Sequence, residues 1–432
     1  MGKAKLNGRF CLALVIFSLI GQVAWVVENM YFNVFIYKMF HASASDISAM
    51  VAASAVAATV TTLLIGALSD KLGKRKLFIC GGYIIWGVTI WSFALIRTDV
   101  ISALIPGVAS AAAVGVSLVI IMDCVMTFFG SSANDACFNA WLTDMTDETN
   151  RGAAEGINAM MPLLAILVVF GGFMGFDLNL SESWVTIFTI IGIVVIAIGV
   201  LGIFLIQEPK VKTDDNQNYF ANILYGFRPG VIVANKPLYA TLLAVAVFNI
   251  SIQIFMPYLI LYYNVTLQMA DYVLIMAPAI ILAAVFTFFY GRVYDRVGFR
   301  KAVIVPIVLL MAGYVLLYFC RGTALVFVGS LLMMCGNLGG GAMFGAMVRD
   351  NTPANRAGMF QGLRICAQVL IPGVVGPAIG AAVLKNAATI VNDDGTTSFI
   401  PNANVFLAAF VAGIAIWIVL AWLFRMLKKE ET

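Results

Sequence analysis

Glu28 and Asp135 raise the chemical question, because each interrupts a long apolar run: AWVVENMYF around Glu28, SSANDACFNAW around Asp135. An ionisable side chain in such a run costs roughly 2.5–3.5 kcal/mol on insertion scales, so its presence calls for a function. Burial penalises the charged form of a carboxylate, which suits it to taking up and releasing a proton. Glu28 lies 19 residues past Arg9, ~28 Å along a helix. It either carries a coupling proton or touches a solute, or else makes a structural hydrogen bond near a pore rim. Asp135 precedes Asp144 by nine residues, ~13 Å along its helix. Asn139 is one turn away on the same face, so the pair reads as a binding site or as polar packing. Asp123, twelve residues before Asp135, is expected in an outer vestibule or loop. Arg364 either pairs with an acid of the first half or snorkels to the surface. Gln253, Asn249 and Asn337 are uncharged candidates for a site, or packing glue. Trp25, Tyr31, Trp141, Tyr258 and Tyr262 offer faces for stacking, or face lipid and its interface.

Other chemistry finds no pattern. Seven cysteines are scattered without a CxxC pair and the chain has one histidine, so metal-ligand spacing is missing. The cysteines read as small core hydrophobes. GNLGGGAMFG (Gly336 to Gly345) lacks the G-K-[ST] ending of a phosphate loop. No catalytic residue, cofactor or metal is expected.

The elements that must hold these residues are membrane spans. The 432-residue chain is 62% hydrophobic and 11% charged, with mean hydropathy +0.97. A soluble fold of that size would leave large greasy patches exposed. Runs long enough to cross ~30 Å of hydrocarbon recur throughout. The fold class is therefore an all-α polytopic membrane protein. The first run, Phe10 to Tyr37, is too long for a signal peptide's apolar core and reads as an uncleaved span. Polar punctuation gives twelve spans: 10–37, 47–69, 77–97, 114–141, 153–175, 184–206, 237–262, 270–291, 300–319, 323–348, 357–384 and 403–426. The stretch 98–113 has no clear cap. Residues 1–206 and 237–432 form two six-helix bundles, and 207–236 a cytoplasmic linker. Its portion from Tyr219 to Val233 reads as a short interfacial helix.

With both termini inside, the inner segments hold 21 of the 26 Lys and Arg residues and the outer loops hold four (Lys38, Arg97, Arg321 and Lys385). That asymmetry predicts cytoplasmic termini and a multi-pass plasma-membrane protein. The net charge of +4 then reflects topology rather than nucleic-acid binding.

The halves repeat. GALSDKLGKRK (Gly66 to Lys76) follows the second span and YGRVYDRVGFRK (Tyr290 to Lys301) the eighth; Gly66, Asp70 and Gly73 map on Gly291, Asp295 and Gly298. The same offset lays Glu28 on Gln253. Asn150-Arg151 is echoed by Asn355-Arg356. This doubled motif resembles the signature of the major facilitator superfamily over essentially the whole chain. Gly66 permits close helix approach and Gly73 a tight turn, while Lys74, Arg75 and Lys76 are expected at anionic headgroups. The resemblance implies that Asp70 gates by capping the eleventh span near Arg356, and that Asp295 does so for the fifth span near Arg151. A carboxylate at a helix N-terminus is favourable there.

Ser131 to Ile157, SSANDACFNAWLTDMTDETNRGAAEGI, is similar to the fourth-to-fifth span region of the glycoside–pentoside–hexuronide cation symporters. That resemblance implies a sugar site at Asp135, with Asn139 within reach of sugar hydroxyls. The group's cation-binding carboxylates fall here on Ala58 and Thr62, and its lysine near Leu370, which favours a proton over sodium. The expected function is alternating-access transport of a sugar or glycoside with a coupling ion, by a monomer in the bilayer. Carriers of drugs or lysolipids, and a non-transporting receptor or scaffold, are the alternatives. GxxxG spacings at Gly336/Gly340, Gly341/Gly345 and Gly376/Gly380 read as packing devices.

Overall fold

The computed structural model describes residues 6–107, 110–147, 150–209, 223–269, 271–352, 360–392 and 395–430. Among the described residues, twelve helices are long and apolar enough to cross a membrane. The first six are Gly8–Phe40, Ala44–Leu72, Arg75–Leu95, Ala111–Asp144, Arg151–Phe173 and Ser181–Leu205. The second six are Lys236–Thr266, Tyr272–Tyr294, Phe299–Phe319, Thr323–Asn351, Gly362–Leu384 and Asn404–Met426. The all-α, twelve-span expectation is borne out. Exposed side chains include Leu12, Val60, Ile193, Phe288 and Ile418, apolar surface of the kind a hydrocarbon environment takes.

Caps explain where the spans begin and end. Asn7 Oδ1 accepts from the Arg9 amide at 3.1 Å and starts the first span. His41, at φ 54°, ends it in the left-handed conformation. Ser43 and Asp46 form a reciprocal box: the Ser43 amide donates to Asp46 Oδ2 (2.8 Å) and the Asp46 amide to Ser43 Oγ (3.2 Å). The second span consequently begins at Ala44 rather than at residue 47. Ser110 Oγ accepts from the Ala113 amide at 3.1 Å, so the fourth span starts at Ala111, three residues before the expected point. Residues Thr98–Leu104 fold as a short helix of their own.

Two connections have structure. In the linker, Tyr225–Phe227 make one 3-10 turn and Pro229–Ala234 a short helix with Val233 exposed; Tyr219 to Asn222 lie outside the described residues. Between the last two spans, Thr389–Val391 and Thr397–Phe399 pair antiparallel with Ile390 opposite Ser398. This hairpin was not anticipated. Its signal is the Asp-Gly pair in NDDGTT, where Gly395 adopts φ 78°.

The chain forms two compact units, Met1–Ala42 with Ala53–Ala221, and Ser43–Ala52 with Asn222–Thr432. The dividing line cuts the second span, whose first turns group with the second unit. There the Tyr258 hydroxyl donates to the Ala44 carbonyl at 3.0 Å.

Within each unit, small residues let backbones meet. In the first, a Cβ on Gly87 would lie 2.6 Å from the Ile196 amide nitrogen and 2.7 Å from the Gly192 oxygen. In the second, a Cβ on Gly336 would meet Leu310 and one on Gly380 the Ile254 carbonyl, each at 2.4 Å. Gly340 and Gly376 are equally tight, whereas Gly341 and Gly345 face open space. Two of the three GxxxG spacings therefore pack helices. Gly87→Val is expected to destabilise by about 1–3 kcal/mol, because backbone cannot yield as a side chain can. Gly81→Val, six residues earlier with nothing within 4 Å, should leave the thermal unfolding midpoint unchanged.

Candidate functional site

Glu28 sits in a π-helical stretch of the first span, Val27–Tyr31, and is 7% exposed. Its Oε1 lies 2.7 Å from Ser54 Oγ of the second span and 2.8 Å from Thr127 Oγ1 of the fourth. The two hydroxyls are 2.9 Å apart. Oε2 is buried with no hydrogen-bond partner. One helical turn from Thr127 stands Asp123, 2% exposed, with Oδ1 also buried and unpartnered. Asp123 and Glu28 lie within electrostatic reach of each other. The expectation that Asp123 faces a vestibule or loop is thus overturned: the residue is enclosed beside Glu28, because this face of the fourth span packs on the first span, as the Thr127–Glu28 contact one turn later shows.

Asp135 lies in a second π-helical stretch, Ser131–Phe138, and is half-buried. Ser131 Oγ donates to its Oδ2 at 2.9 Å. The Trp25 indole Nε1 is directed toward this carboxyl without forming a hydrogen bond, and its ring rests against Trp86 with centroids 5.0 Å apart. The Tyr83 hydroxyl lies 2.8 Å from the Phe17 carbonyl and 3.0 Å from Asn134 Oδ1, which fixes Asn134. Asn139 is exposed and its amide donates to the backbone carbonyl of Asp135 at 3.0 Å, not to its carboxyl.

The fourth span therefore presents Asp123, Thr127, Ser131, Asp135 and Asn139 at every fourth position. Asp123, Thr127 and Ser131 were missed as site residues, and this spacing is the signal that finds them. The second span runs alongside: Ser54 meets Thr127, and a Cβ on Gly66 would sit 4.0 Å from the Ala136 Cβ. Thr62, between them, is 6% exposed with a buried, unpartnered hydroxyl. Among the described residues, no Lys, Arg or His forms an ion pair with Glu28, Asp123 or Asp135.

At the motif loop, Gly73 adopts φ 61° and makes the tight turn. Arg75 is 4% exposed, which corrects its placement at headgroups. Its guanidinium reaches Asp70 at 2.5 Å, Asp144 at 3.0 Å and Ser69 Oγ at 2.6 Å. The reason is geometric: Arg75 opens the third span, and a planar fork there joins two acids from two other spans. Glu208 accepts from the Arg75 amide at 2.5 Å and the Lys76 amide at 3.2 Å, stabilising that helix start. Arg151 donates to the Thr143 and Thr146 carbonyls at 3.2 and 3.0 Å, closing the end of the fourth span. Arg356 and the side chain of Asp295 lie outside the described residues.

Of the aromatic candidates, Tyr31, Trp141, Tyr258 and Tyr262 are at most 1% exposed. They are enclosed by protein in this conformation rather than turned to lipid. Trp141 Nε1 donates to the Gln207 carbonyl at 2.9 Å. Gln253 and Asn337 are half-buried, and Gln253 packs directly against Gly376. The Asn249 amide lies 3.4 Å from the Gln368 carbonyl. Arg364 Nε donates to Gln368 Oε1 at 3.2 Å. Cys80, Cys137 and Cys335 are buried.

A family model described as Major Facilitator Superfamily matches residues 10–377 and, in a second match, 241–432. Compared by sequence with curated proteins, the chain matches none. Solved structures share the fold at low identity. A mutant of the nucleoside transporter NupG superposes with TM-score 0.71 at 14% identity, covering 96% of this chain and 99% of that one. A bacterial homologue of the human lysosomal transporter Spinster, inward-facing and occupied, gives 0.69 at 15% identity, covering 97% of each chain. The xylose transporter XylE from E. coli, partially occluded and inward open, gives 0.69 at 12% identity, covering 96% and 97%.

Proposed function

The chain belongs to the major facilitator superfamily, and from that premise we propose a secondary transporter that moves a small polar solute by alternating access. The solute class is a sugar or glycoside and the coupling ion a proton, in line with the similarity of Ser131–Ile157 to the glycoside–pentoside–hexuronide symporters. One observation carries the reading: three carboxyls, Glu28, Asp123 and Asp135, stand inside spans without a basic partner among the described residues. Structural acids in hydrocarbon are normally paired. Acids that must bind and release something are left free to do so.

In this reading Asp135, with Trp25, Asn139, Gln253 and Asn337, receives the solute and Glu28 carries the proton. The residue 1–206 and 237–432 bundles, joined by a cytoplasmic linker, alternate under gates at Asp70 and Asp295 with Gly66, Gly73, Arg75, Arg151 and Arg356. The protein would work as a monomer in the plasma membrane with both termini cytoplasmic. The test is uptake of labelled mono- and disaccharides into proteoliposomes under an imposed proton gradient. Thermal-shift measurements with the same sugars accompany it, since a ligand binding only the folded state stabilises it. Accumulation that an uncoupler abolishes is the expected result. Stabilisation by lysolipids or drugs and by no sugar would overturn the solute class. An Asp70→Asn variant that transports at the parental rate would remove the gating role.

A further inference from the structure

The oxygens around Glu28 can be counted for protons. Glu28 Oε1, Ser54 Oγ and Thr127 Oγ1 form a closed triangle with sides of 2.7, 2.8 and 2.9 Å. Each side is a hydrogen-bond length for oxygen pairs. Three such bonds need three protons, and each hydroxyl brings one. An ionised carboxylate only accepts, so two lone pairs would face each other along one side. A proton on Oε1 closes the ring. Oxygens sharing a cation at 2.3 Å or more would stand roughly 3.3 Å apart at right angles, which these do not. Asp123 poses the same question from the next turn of the fourth span. It is 2% exposed, its Oδ1 has no donor, and no basic residue pairs with it among the described residues. A charge enclosed there without compensation would cost several kcal/mol. Among the described residues, the titratable groups within electrostatic reach of the pair are Asp135 and Cys124, both on the fourth span, and the second span faces Glu28 with the Ser54 hydroxyl.

We propose that Glu28 and Asp123 form a two-carboxyl proton site, both members loaded in this conformation, with Ser54 and Thr127 as positioning residues that orient the Glu28 proton. The role of this site in coupling rests on the transporter reading above; its protonation does not. The site extends the single proton carrier to a pair, and it makes Asp123 a proton-binding residue in its own right.

Infrared difference spectroscopy of the full-length protein in an ester-free detergent tests it, in an Asp135→Asn background that removes the third carboxyl. Two protonated-carboxyl stretches are expected at neutral pH, one lost in Glu28→Gln and the other in Asp123→Asn. Ser54→Ala and Thr127→Val should move the Glu28 stretch and leave the Asp123 stretch in place. Asp123→Glu should restore a second stretch, which separates loss of the group from loss of the fold. An unchanged spectrum in Asp123→Asn would overturn the proposal. So would a stretch that sodium or lithium, but not choline, removes at fixed pH, because the site would then hold a metal cation. Neither readout depends on transport, so a failure to move sugars would leave the proton site standing and count only against the function.

Discussion

Arg75→Ala is expected to cost about 3 kcal/mol of stability, the low end of the range for removing one partner of a buried ion pair. Arg75 is enclosed while Asp144 is 25% and Asp70 47% exposed, so the Asp144 contact dominates and the Asp70 contact is largely screened. Ser69 Oγ and the two carboxylates all lose their donor at once. Arg75→Lys should recover only part of the loss, because a point ammonium cannot serve Asp70, Asp144 and Ser69 together. Arg75→Ala combined with Asp144→Asn should be more stable than the single variant, since the uncompensated charge is gone. Thermal unfolding in detergent, followed by size-exclusion chromatography, measures all three. An Arg75→Ala protein as stable as the parent would show that the fork is incidental to the fold.

Asp135→Ala is expected to leave the unfolding midpoint nearly unchanged while removing sugar binding. Its carboxyl accepts one hydrogen bond, from Ser131 on its own helix, so little of the fold depends on it. A hydrogen bond from a ligand to a charged group is worth roughly 1.5–3 kcal/mol, which corresponds to about 10- to 150-fold in affinity. The measurement is sugar-dependent thermal stabilisation of the parent and variant proteins. Parental stabilisation in Asp135→Ala would move the binding site elsewhere.

The spans were legible because hydrocarbon selects composition as well as pattern, and the count of twelve follows from length and hydropathy alone. Their ends were less legible: the caps at Ser43 with Asp46 and at Ser110 start two helices three residues before the expected points. Glu28 and Asp135 stood out as charges in apolar runs. Their surroundings did not, because serine and threonine in a helix usually satisfy themselves on the preceding turn. Only the tertiary approach of three spans turns Ser54 and Thr127 into partners of Glu28. Asp123 was misplaced because spacing along the chain gives a residue's depth in its span and not the neighbour it turns toward. Arg75 was misread because its neighbours Lys74 and Lys76 made it look like one of three loop charges, whereas the first residue of a span can turn its fork inward. Aromatic residues misled in the opposite direction: Tyr258 and Tyr262 have the composition of an interface and the burial of a core.

The π-helical stretch Ser131–Phe138 has a consequence for how the fourth span could change. Four residues take about 400° of an α-helix, so a row of every fourth residue veers about 40° per step and would leave its face within a few turns. A π stretch holds more residues per turn and veers the row back the other way. The detour keeps Asp123 and Asp135 on one side of the helix. Rewinding this stretch to α geometry without removing a residue would swing everything after it around the helix axis. Trp141 and Asp144 would then leave the positions where they meet Gln207 and Arg75. The wide turn thus sets the phase between the carboxyl row and the ion-pair cluster, and deleting one residue within it, Ala133 for example, removes the residue that the wide turn accommodates and should disturb that phase less than a deletion in the α-helical turns before Ser131.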